Sequence, residues 1–180
     1  MKYEVIDNFL DEEYFDELVT LFVEKDKGEG NDIMSWYFRS SVSYAKEHKK
    51  WVKEDKLFYM THMFYENNIP RSPYYDKLIP LLEKLETRCL LRIKANLYPN
   101  TEKLHEHPMH TDYDFFHSAA ILSLNTCDGY TKLKDGTKID SIANRILLFD
   151  PSEEHCSTTT TNDFARININ MNYIQEQYKE

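Results

Sequence analysis

The sequence predicts an α+β fold with a jelly-roll core, that is, a double-stranded β-helix, and with N-terminal helices packed on one side. Apolar residues recur at helical spacing in the first half of the chain and alternate with polar residues in the second half. Helices followed by antiparallel strands favour this fold class. With 180 residues, four glycines and no low-complexity tract, we expect one domain over residues 1–180. Residues 1–87 are expected to be mainly helical support, and residues 88–175 to form the β core.

Three stretches of the first half are predicted helices. The first, "DEEYFDELVTLFVEK", opens at Asp11 with acidic residues suited to a helix N-terminus. A second helix is predicted over residues 46–67. In the third stretch, "SPYYDKLIPLLEKLE", Ser72 is the expected N-cap and Pro73 the first helical residue. Pro80 inside this stretch should kink the helix or split it.

Period-two alternation of apolar and polar residues predicts the strands. In "RIKANLY", Ile93, Ala95 and Leu97 alternate with polar residues. The other strand candidates are "YEVIDNF", "SAAILSLN", "NRILLFD" and the final "ARININMNYI". The Asp135-Gly136 pair in "KDGT" is typical of a hairpin turn.

One face of the last strand carries an unusual set of polar residues. Arg166, Asn168, Asn170 and Asn172 alternate with apolar residues along this strand. Asparagine is a poor strand former, so strand propensity does not account for three of them. The face either meets water or lines a polar pocket inside a small barrel or sandwich.

Charge and cysteine content restrict the class of protein. The net charge of −9 argues against nucleic acid and against an anionic membrane surface as partners. The three cysteines are widely spaced and form no CxxC pair, which argues against a disulfide framework and a zinc ribbon. The N-terminal residues lack the apolar core of a signal peptide, and no run approaches a transmembrane span. We therefore expect a soluble, cytoplasmic protein in a reducing compartment.

A histidine-rich segment, "HEHPMHTDYD", contains the candidate metal ligands. His110 and Asp112 are two residues apart, so on an extended segment both side chains can point at one ion. His105 and His107 have the same spacing, so the local pattern alone does not decide between the pairs. His155, after the apolar strand "RILLF", is a candidate third ligand.

A His-x-Asp pair, a later histidine and an arginine eleven residues after it occur together by chance less often than any one of them alone. In this sequence the set is His110, Asp112, His155 and Arg166. Two histidines and one carboxylate form the facial triad of non-haem Fe(II) oxygenases. This triad leaves three coordination positions open, of which a keto acid can take two and dioxygen the third. Arg166 follows His155 by eleven residues and starts the asparagine-bearing strand.

With these motifs, the sequence resembles the 2-oxoglutarate- and Fe(II)-dependent oxygenases in their prolyl-hydroxylase-like branch. The resemblance covers most of the chain. It lies in "YEVIDNFLDEEYFDELVTLF", "IKANLYPNTEKLHEHPMHTD", "AAILSLNTCDGYTKL" and "NRILLFDPSEEHCSTTTTNDFARININMNY". The compact, glycine-poor chain with its "RIKANLYPNT" block is also similar to bacteriophage-encoded oxygenases, for which the compartment would be the host cytoplasm.

The resemblance implies a role for each motif residue. It implies that the catalytic iron is held by His110, Asp112 and His155. It further implies that 2-oxoglutarate is bound by Arg166, Tyr98, Asn168 and Asn96. In this scheme Arg166 pairs with the distal carboxylate, for which a planar and always-charged guanidinium is suited. The alternatives are a surface salt bridge for Arg166 and an ordinary strand aromatic for Tyr98.

The implied reaction couples decarboxylation of 2-oxoglutarate to hydroxylation of a substrate C–H bond. Its cofactors are Fe(II) and 2-oxoglutarate, with ascorbate as an additional expectation, and its partners are dioxygen and a small-molecule or peptide substrate. Peptidyl proline is the substrate suggested by the family. However, Leu122 or Ser123 stands where prolyl hydroxylases often carry a tyrosine, which weakens that suggestion. A free amino acid or another small metabolite is the alternative.

Two other functions are compatible with a jelly roll. A cupin-like metal enzyme would use His105, His107 and His155, but the glutamate that cupins carry after their His-x-His is missing here. A binding or structural module without catalysis would not need an intact triad. Of the remaining histidines, we expect His105 to face solvent, His107 to border the substrate entrance or solvent, and His117 to be structural.

Overall fold

The computed structural model describes residues 3–23, 34–40 and 57–175. Their helices are α1 (Glu12–Thr20) and α2 (Ile79–Lys84), the latter directly preceded by a 3-10 turn (Tyr75–Leu78). Their strands are β1 (Tyr3–Ile6), β2 (Tyr37–Arg39), β3 (Tyr59–Glu66), β4 (Ile69–Pro70), β5 (Cys89–Pro99), β6 (Ser118–Ser123), β7 (Tyr130–Leu133), β8 (Lys138–Asp140), β9 (Ile146–Phe149), β10 (His155–Ser157) and β11 (Ala165–Ile174).

The strands form two antiparallel sheets of a jelly-roll core. The large sheet has the order β1-β9-β6-β11-β5-β3-β2, with β4 paired to β3, and the small sheet has the order β10-β7-β8. Ile121 and Phe149 of the large sheet share a buried cluster with Leu133 and Ile139 of the small sheet. The two sheets therefore pack face to face, and the space between them is where a pocket can form.

The opposite face of the large sheet belongs to the main hydrophobic core. This core contains Ile167 and Ile169 of β11 together with Leu18 of α1 and Leu81 of α2. Because side chains alternate along a strand, the neighbours of these isoleucines on β11 point into the space between the sheets. No helix in the described ranges is long and apolar enough to cross a membrane.

The predicted helix over residues 46–67 is wrong where the structure describes it. Residues 46–56 lie outside the described ranges, but Tyr59–Glu66 is strand β3. This strand pairs with β5 on one side and with β2 on the other. Its aromatic residues favour a strand buried in a sheet, and pairing with partners distant in sequence overrides the apparent helical spacing.

The prediction of Ser72 as N-cap and Pro73 as first helical residue is wrong, because the 3-10 turn begins at Tyr75 and has no side-chain cap. Strands β1 to β4 also lie in residues 1–87, which were expected to be mainly helical.

The predictions for α1, for Pro80 and for the β7–β8 turn agree with the structure. Helix α1 is capped by Asp11, whose side chain accepts a hydrogen bond from the Tyr14 amide at 3.0 Å. Pro80 splits the third predicted helix, because α2 begins beside it with proline in the first turn. Gly136 has the positive φ of 89° that the β7–β8 hairpin turn requires.

The polar face of β11 is buried rather than exposed to water. Arg166, Asn168, Asn170 and Asn172 are between 0 and 7% exposed. They lie directly opposite the polar face of β5, in the pairs Arg166–Tyr98, Asn168–Asn96, Asn170–Lys94 and Asn172–Arg92. The two strands together therefore supply a continuous polar wall inside the core.

Candidate metal centre

The loop that carries the histidines runs alongside β10 and the residues that follow it. The His107 amide donates to the Ser157 carbonyl at 2.9 Å, and the Thr159 amide donates to the His105 carbonyl at 3.1 Å. His110 and His155 exchange both backbone hydrogen bonds at 2.9 Å. This register places the two imidazoles side by side, with ring centroids 4.7 Å apart.

His110, Asp112 and His155 converge to form a candidate metal site. One ligand atom from each residue lies within 4.8 Å of the other two. Asp112 is positioned by its amide, which donates to the Pro151 carbonyl at 3.1 Å. His155 is buried, and the Asp112 side chain is only 6% exposed. The three groups can therefore surround one ion without any change of fold.

Both imidazoles are in the form that binds a metal. The Nδ1 atom of His155 lies 3.1 Å from the Glu153 carbonyl, and that of His110 lies 3.3 Å from the Pro108 carbonyl. A carbonyl only accepts, so Nδ1 carries the proton and Nε2 keeps its lone pair for the ion. Burial lowers the pKa of His155 to about 4, with a further contribution from His110, and burial also lowers the pKa of His110. Both rings are therefore neutral near pH 7.

The carboxyl group of Asp112 is held in its ionised form. Burial alone would raise its pKa, but the charge of Arg92, with that of Lys94 and the amide of Asn172, holds the pKa of Asp112 well below its usual range. Arg92 Nη2 lies 2.9 Å from Asp112 Oδ1, and Asn172 Nδ2 donates to Asp112 Oδ2 at 2.8 Å. Arg92 also donates to Asn172 Oδ1 at 2.9 Å. Two neutral nitrogens and one carboxylate fit a divalent transition metal such as Fe(II).

Arg166 lies in the same inter-sheet space as a buried and largely unpaired cation. Its Nη2 donates to Thr131 Oγ1 at 2.9 Å. Its Nε and Nη1 are buried and have no hydrogen-bond partner in the part of the chain that the structure describes. Within the described ranges no carboxylate lies at salt-bridge distance from it, so Arg166 does not form the alternative surface salt bridge. A buried guanidinium without an anion is suited to an anionic ligand.

The remaining predicted cosubstrate residues line one pocket with the triad histidines. Asn96, Tyr98 and Asn168 contribute to the wall of this pocket, together with His110 and His155. Asn96 Nδ2 donates to Asn168 Oδ1 at 2.9 Å, and the buried Asn96 Oδ1 has no partner among the described residues. Tyr98 places its ring 5.6 Å from the Arg166 guanidinium carbon, and burial raises its pKa.

Sequence reasoning missed several residues of this site. Arg92 and Asn172, which contact each other beside Asp112, were identified only as members of polar strand faces. Lys94 and Thr131, which line the pocket, were not identified as site residues. The available signal was the alternation itself. Two polar strand faces in one small domain can bury their charges only against each other or around a ligand.

The other histidines have separate roles. His105 is exposed, as expected. His107 is 3% exposed, with its Nδ1 3.0 Å from the Ser157 carbonyl, so it does not face solvent. His117 is buried between the Phe115 carbonyl and Asn172, in agreement with a structural role. The grouping of possible ligands in the described ranges does not include His105 or His107, which argues against the cupin-like ligand set.

Solved structures identify the architecture. An oxidoreductase of the 2OG-Fe(II) oxygenase family from Burkholderia pseudomallei is similar at a TM-score of 0.65 and 10% identity, over 97% of this chain and 85% of that chain. The chain has the fold of the 2-oxoglutarate- and Fe(II)-dependent oxygenases.

Two prolyl hydroxylases share this oxygenase fold. The viral collagen prolyl hydroxylase of Paramecium bursaria Chlorella virus 1, in its 2OG complex, is similar at a TM-score of 0.55 and 14% identity, over 96% of this chain and 95% of that chain. The Trichoplax adhaerens prolyl hydroxylase, in complex with a hypoxia-inducible factor peptide fragment, is similar at a TM-score of 0.57 and 14% identity, over 97% and 84%. No protein-family model and no curated protein matches the sequence.

Proposed function

We propose that this chain is a non-haem Fe(II) dioxygenase that couples oxidative decarboxylation of 2-oxoglutarate to hydroxylation of a substrate C–H bond. The observation that carries the proposal is that two kinds of site lie in the same inter-sheet space. His110, Asp112 and His155 offer a metal-binding set, and the guanidinium of Arg166, which has two buried nitrogens without a partner among the described residues, offers an anion site. The oxygenase fold supports this assignment.

Each residue of the site has a proposed task. His110, Asp112 and His155 hold Fe(II) through two neutral nitrogens and one carboxylate oxygen. Arg166 binds the distal carboxylate of 2-oxoglutarate, while Tyr98, Asn96 and Asn168 form the wall against which the cosubstrate is oriented. The bound iron and 2-oxoglutarate would supply the activation of dioxygen, with succinate and carbon dioxide as coproducts. The protein contributes orientation and exclusion of water from the buried part of the pocket.

The domain organisation follows from the same scheme. We infer one oxygenase domain over residues 1–180, in which the N-terminal helices support the large sheet from the face away from the pocket. Leu18 and Leu81 pack in the core that contains Ile167 and Ile169, the strand neighbours of Arg166 and Asn168. Helix packing on one face of β11 would therefore hold its other face in place for the cosubstrate.

The substrate is a peptide or a small molecule, and peptidyl proline is our first candidate. The prolyl hydroxylases among the similar structures, one of them bound to a peptide, support this choice. The three cysteines, which form no disulfide, are compatible with a cytoplasmic location, in the host if the chain is encoded by a phage. Ascorbate would serve as an auxiliary reductant for the iron. We propose neither a nucleic acid nor a membrane as partner.

The proposal is tested by succinate formation from 2-oxoglutarate with Fe(II), ascorbate and air. We expect slow succinate release by the wild type without added substrate, and none by His110→Ala or His155→Ala. His105→Ala is the matched control, because His105 lies in the same loop but is exposed, and it should keep wild-type turnover. Retained activity in His110→Ala or His155→Ala would remove that residue from the metal site.

A direct binding experiment complements the activity measurement. Purified protein loaded with Mn(II) should bind 2-oxoglutarate, and Arg166→Met should weaken this binding while leaving the affinity for Mn(II) unchanged. A wild-type protein that binds neither ligand would contradict the enzymatic assignment and favour a non-catalytic jelly-roll module.

A further inference from the structure

Lys94 is a second cation of the site, besides Arg166, and has no anionic partner among the described residues. It lies on the polar face of β5 and lines the pocket together with His110 and His155. Among the described residues its ammonium group makes no hydrogen bond and no ion pair. The contact that it does make is with the ring of Tyr59, whose centroid is 5.9 Å away. Lys94 is half-buried, and a cation that lines a pocket without an anionic partner among the described residues is suited to an anionic ligand.

The charges around Lys94 do not supply that anion. Arg92 and Arg39 act on it unfavourably, whereas Asp112 and Glu66 attract it from beyond ion-pair distance. Burial, with the two arginines, lowers the pKa of Lys94 to about 8, so the ammonium group is still mostly protonated near pH 7. Both oxygens of Asp112 already have partners, Arg92 and Asn172. A divalent ion held by Asp112 would add further positive charge beside Lys94.

Lys94 and Arg166 start from different positions along the paired strands β5 and β11. Lys94 is paired with Asn170, and Tyr98 is paired with Arg166. These two pairs are four residues apart, or about 13 Å at the usual rise of a strand. The two carboxylates of 2-oxoglutarate are joined by four carbon–carbon bonds of about 1.5 Å each, so they are at most about 6 Å apart. The backbone positions of Lys94 and Arg166 are therefore well separated, and Lys94 lines the pocket on the side of the triad histidines, because its charge acts on both of them.

We propose that Lys94 is a carboxylate-binding residue at the metal end of the pocket. The inference rests on the proposed function, because it assumes a metal on the triad and 2-oxoglutarate on Arg166. Two molecules bring a carboxylate to this place. One is 2-oxoglutarate itself, through its 1-carboxylate, and the other is a substrate that carries a carboxylate close to the C–H bond that is hydroxylated.

The first experiment measures 2-oxoglutarate binding to Mn(II)-loaded protein by isothermal titration calorimetry. The variants are Lys94→Met and Lys94→Gln, with Lys94→Arg as the charge-conserving variant and Lys103→Met as the control, because Lys103 is exposed. If the carboxylate is that of 2-oxoglutarate, the dissociation constant should rise about 10–100-fold in the two neutral variants and should be largely restored in Lys94→Arg. Two neutral side chains are used so that a folding defect of either one is recognised.

The second experiment tests the substrate as the source of the carboxylate. The Mn(II)–2-oxoglutarate complex is titrated with acetyl-L-proline and with acetyl-L-prolinamide, which differ only in the carboxylate. If 2-oxoglutarate binding is unchanged in the Lys94 variants, acetyl-L-proline should bind the wild type at least about tenfold more tightly than it binds Lys94→Met. The amide should show no dependence on Lys94.

The outcomes separate this inference from the proposed function. If neither 2-oxoglutarate nor acetyl-L-proline binds in a Lys94-dependent way, including the case in which acetyl-L-proline does not bind the wild type, the inference is overturned while the proposed function stands. If the wild type fails to bind Mn(II) or 2-oxoglutarate in the first experiment, the proposed function fails, and the inference fails with it.

Discussion

At Asp112, the carboxylate is oriented by two residues that come from neighbouring strands. Arg92 of β5 and Asn172 of β11 each contact one oxygen, and they also contact each other. Groups that hold a metal-binding carboxylate in this way limit its rotation and set its charge, so they act as positioning residues. The arrangement also satisfies a buried charge before any metal is present.

Replacing Arg92 should weaken metal binding without removing a ligand. We expect Arg92→Met to lower the affinity for Mn(II) by about 10–100-fold, because Asp112 loses its ion pair and its fixed orientation. Arg92→Lys should retain part of the affinity. Arg71→Met is the matched control, since Arg71 is exposed. Calorimetric titration measures the effect, and wild-type affinity in Arg92→Met would show that Asn172 alone orients the carboxylate.

Gly129 is required because Arg166 passes directly over it. A Cβ atom at this position would lie 2.6 Å from Arg166 Cδ and 2.7 Å from the Thr159 carbonyl oxygen. We expect Gly129→Ala to lower the free energy of unfolding by about 1–3 kcal/mol and to weaken 2-oxoglutarate binding, because Arg166 must move.

A second glycine serves as the control for that prediction. Within the described ranges, a Cβ atom added to Gly136 would have no atom within 4 Å beyond its chain neighbours. With a φ of 89°, substitution at this position therefore costs stability through backbone strain. Urea unfolding and 2-oxoglutarate titration of both alanine variants should show two destabilised proteins, of which only Gly129→Ala binds 2-oxoglutarate more weakly. Equal binding by both variants would show that Arg166 tolerates the added methyl group.

At the scale of the element, β3 carries a buried histidine that makes stability depend on pH. His62 lies with its Nδ1 2.7 Å from the Ser35 carbonyl and its Nε2 2.8 Å from Ser72 Oγ. Burial lowers the pKa of His62 below its ordinary value of 6.5, although the Ser35 carbonyl opposes this. The folded state thus favours the neutral ring. The unfolded chain takes up a proton below about pH 6.5, so the contribution of His62 to stability is present above that pH and is lost as the pH falls.

The pH dependence can be assigned to His62 by substitution. We expect His62→Gln to be less stable than the wild type, and the difference in the free energy of unfolding to narrow between about pH 7.5 and about pH 5.5. Urea unfolding at both pH values measures this difference. The contributions of the other histidines cancel in the difference, because both proteins contain them. A difference that stays constant with pH would contradict a neutral buried His62.

At the scale of the whole molecule, ligand binding should raise thermal stability in two separable steps. At about a hundredfold excess over its dissociation constant, a ligand adds about 2.7 kcal/mol to the free energy of unfolding. For a chain of this length, that corresponds to an increase in Tm of about 5–10 °C. We expect Mn(II) to give one such increase and 2-oxoglutarate to give a second.

Single substitutions should abolish one or both of these ligand-induced increases in Tm. His110→Ala should lose both increases in Tm, whereas Arg166→Met should keep the increase caused by Mn(II) and lose the one caused by 2-oxoglutarate. Scanning calorimetry with each ligand added in turn provides the measurement. An equal increase with 2-oxoglutarate in Arg166→Met and in the wild type would place the cosubstrate elsewhere.

The features that depend on local spacing could be predicted from the amino-acid sequence. Alternation identified β5 and β11 and their polar faces, and an Asp-Gly pair identified the β7–β8 turn. The residue types also defined the candidate ligands, because two histidines and a carboxylate are a recognisable chemical set. Local spacing could not show which pair binds the metal, because His105 and His107 are two residues apart, and so are His110 and Asp112.

Which of these residues come into contact depends on strand pairing and packing, and could not be predicted from local spacing. The backbone register between the histidine loop and β10 places His110, and not His107, opposite His155. Pairing with β5 and β2 made residues 59–66 a strand in spite of their helical spacing. The pairing of β11 with β5 buried two polar faces together and brought Arg92, Lys94 and Asn172 to the site. These outcomes depend on contacts between residues far apart in the chain, whose energies no local window of sequence contains.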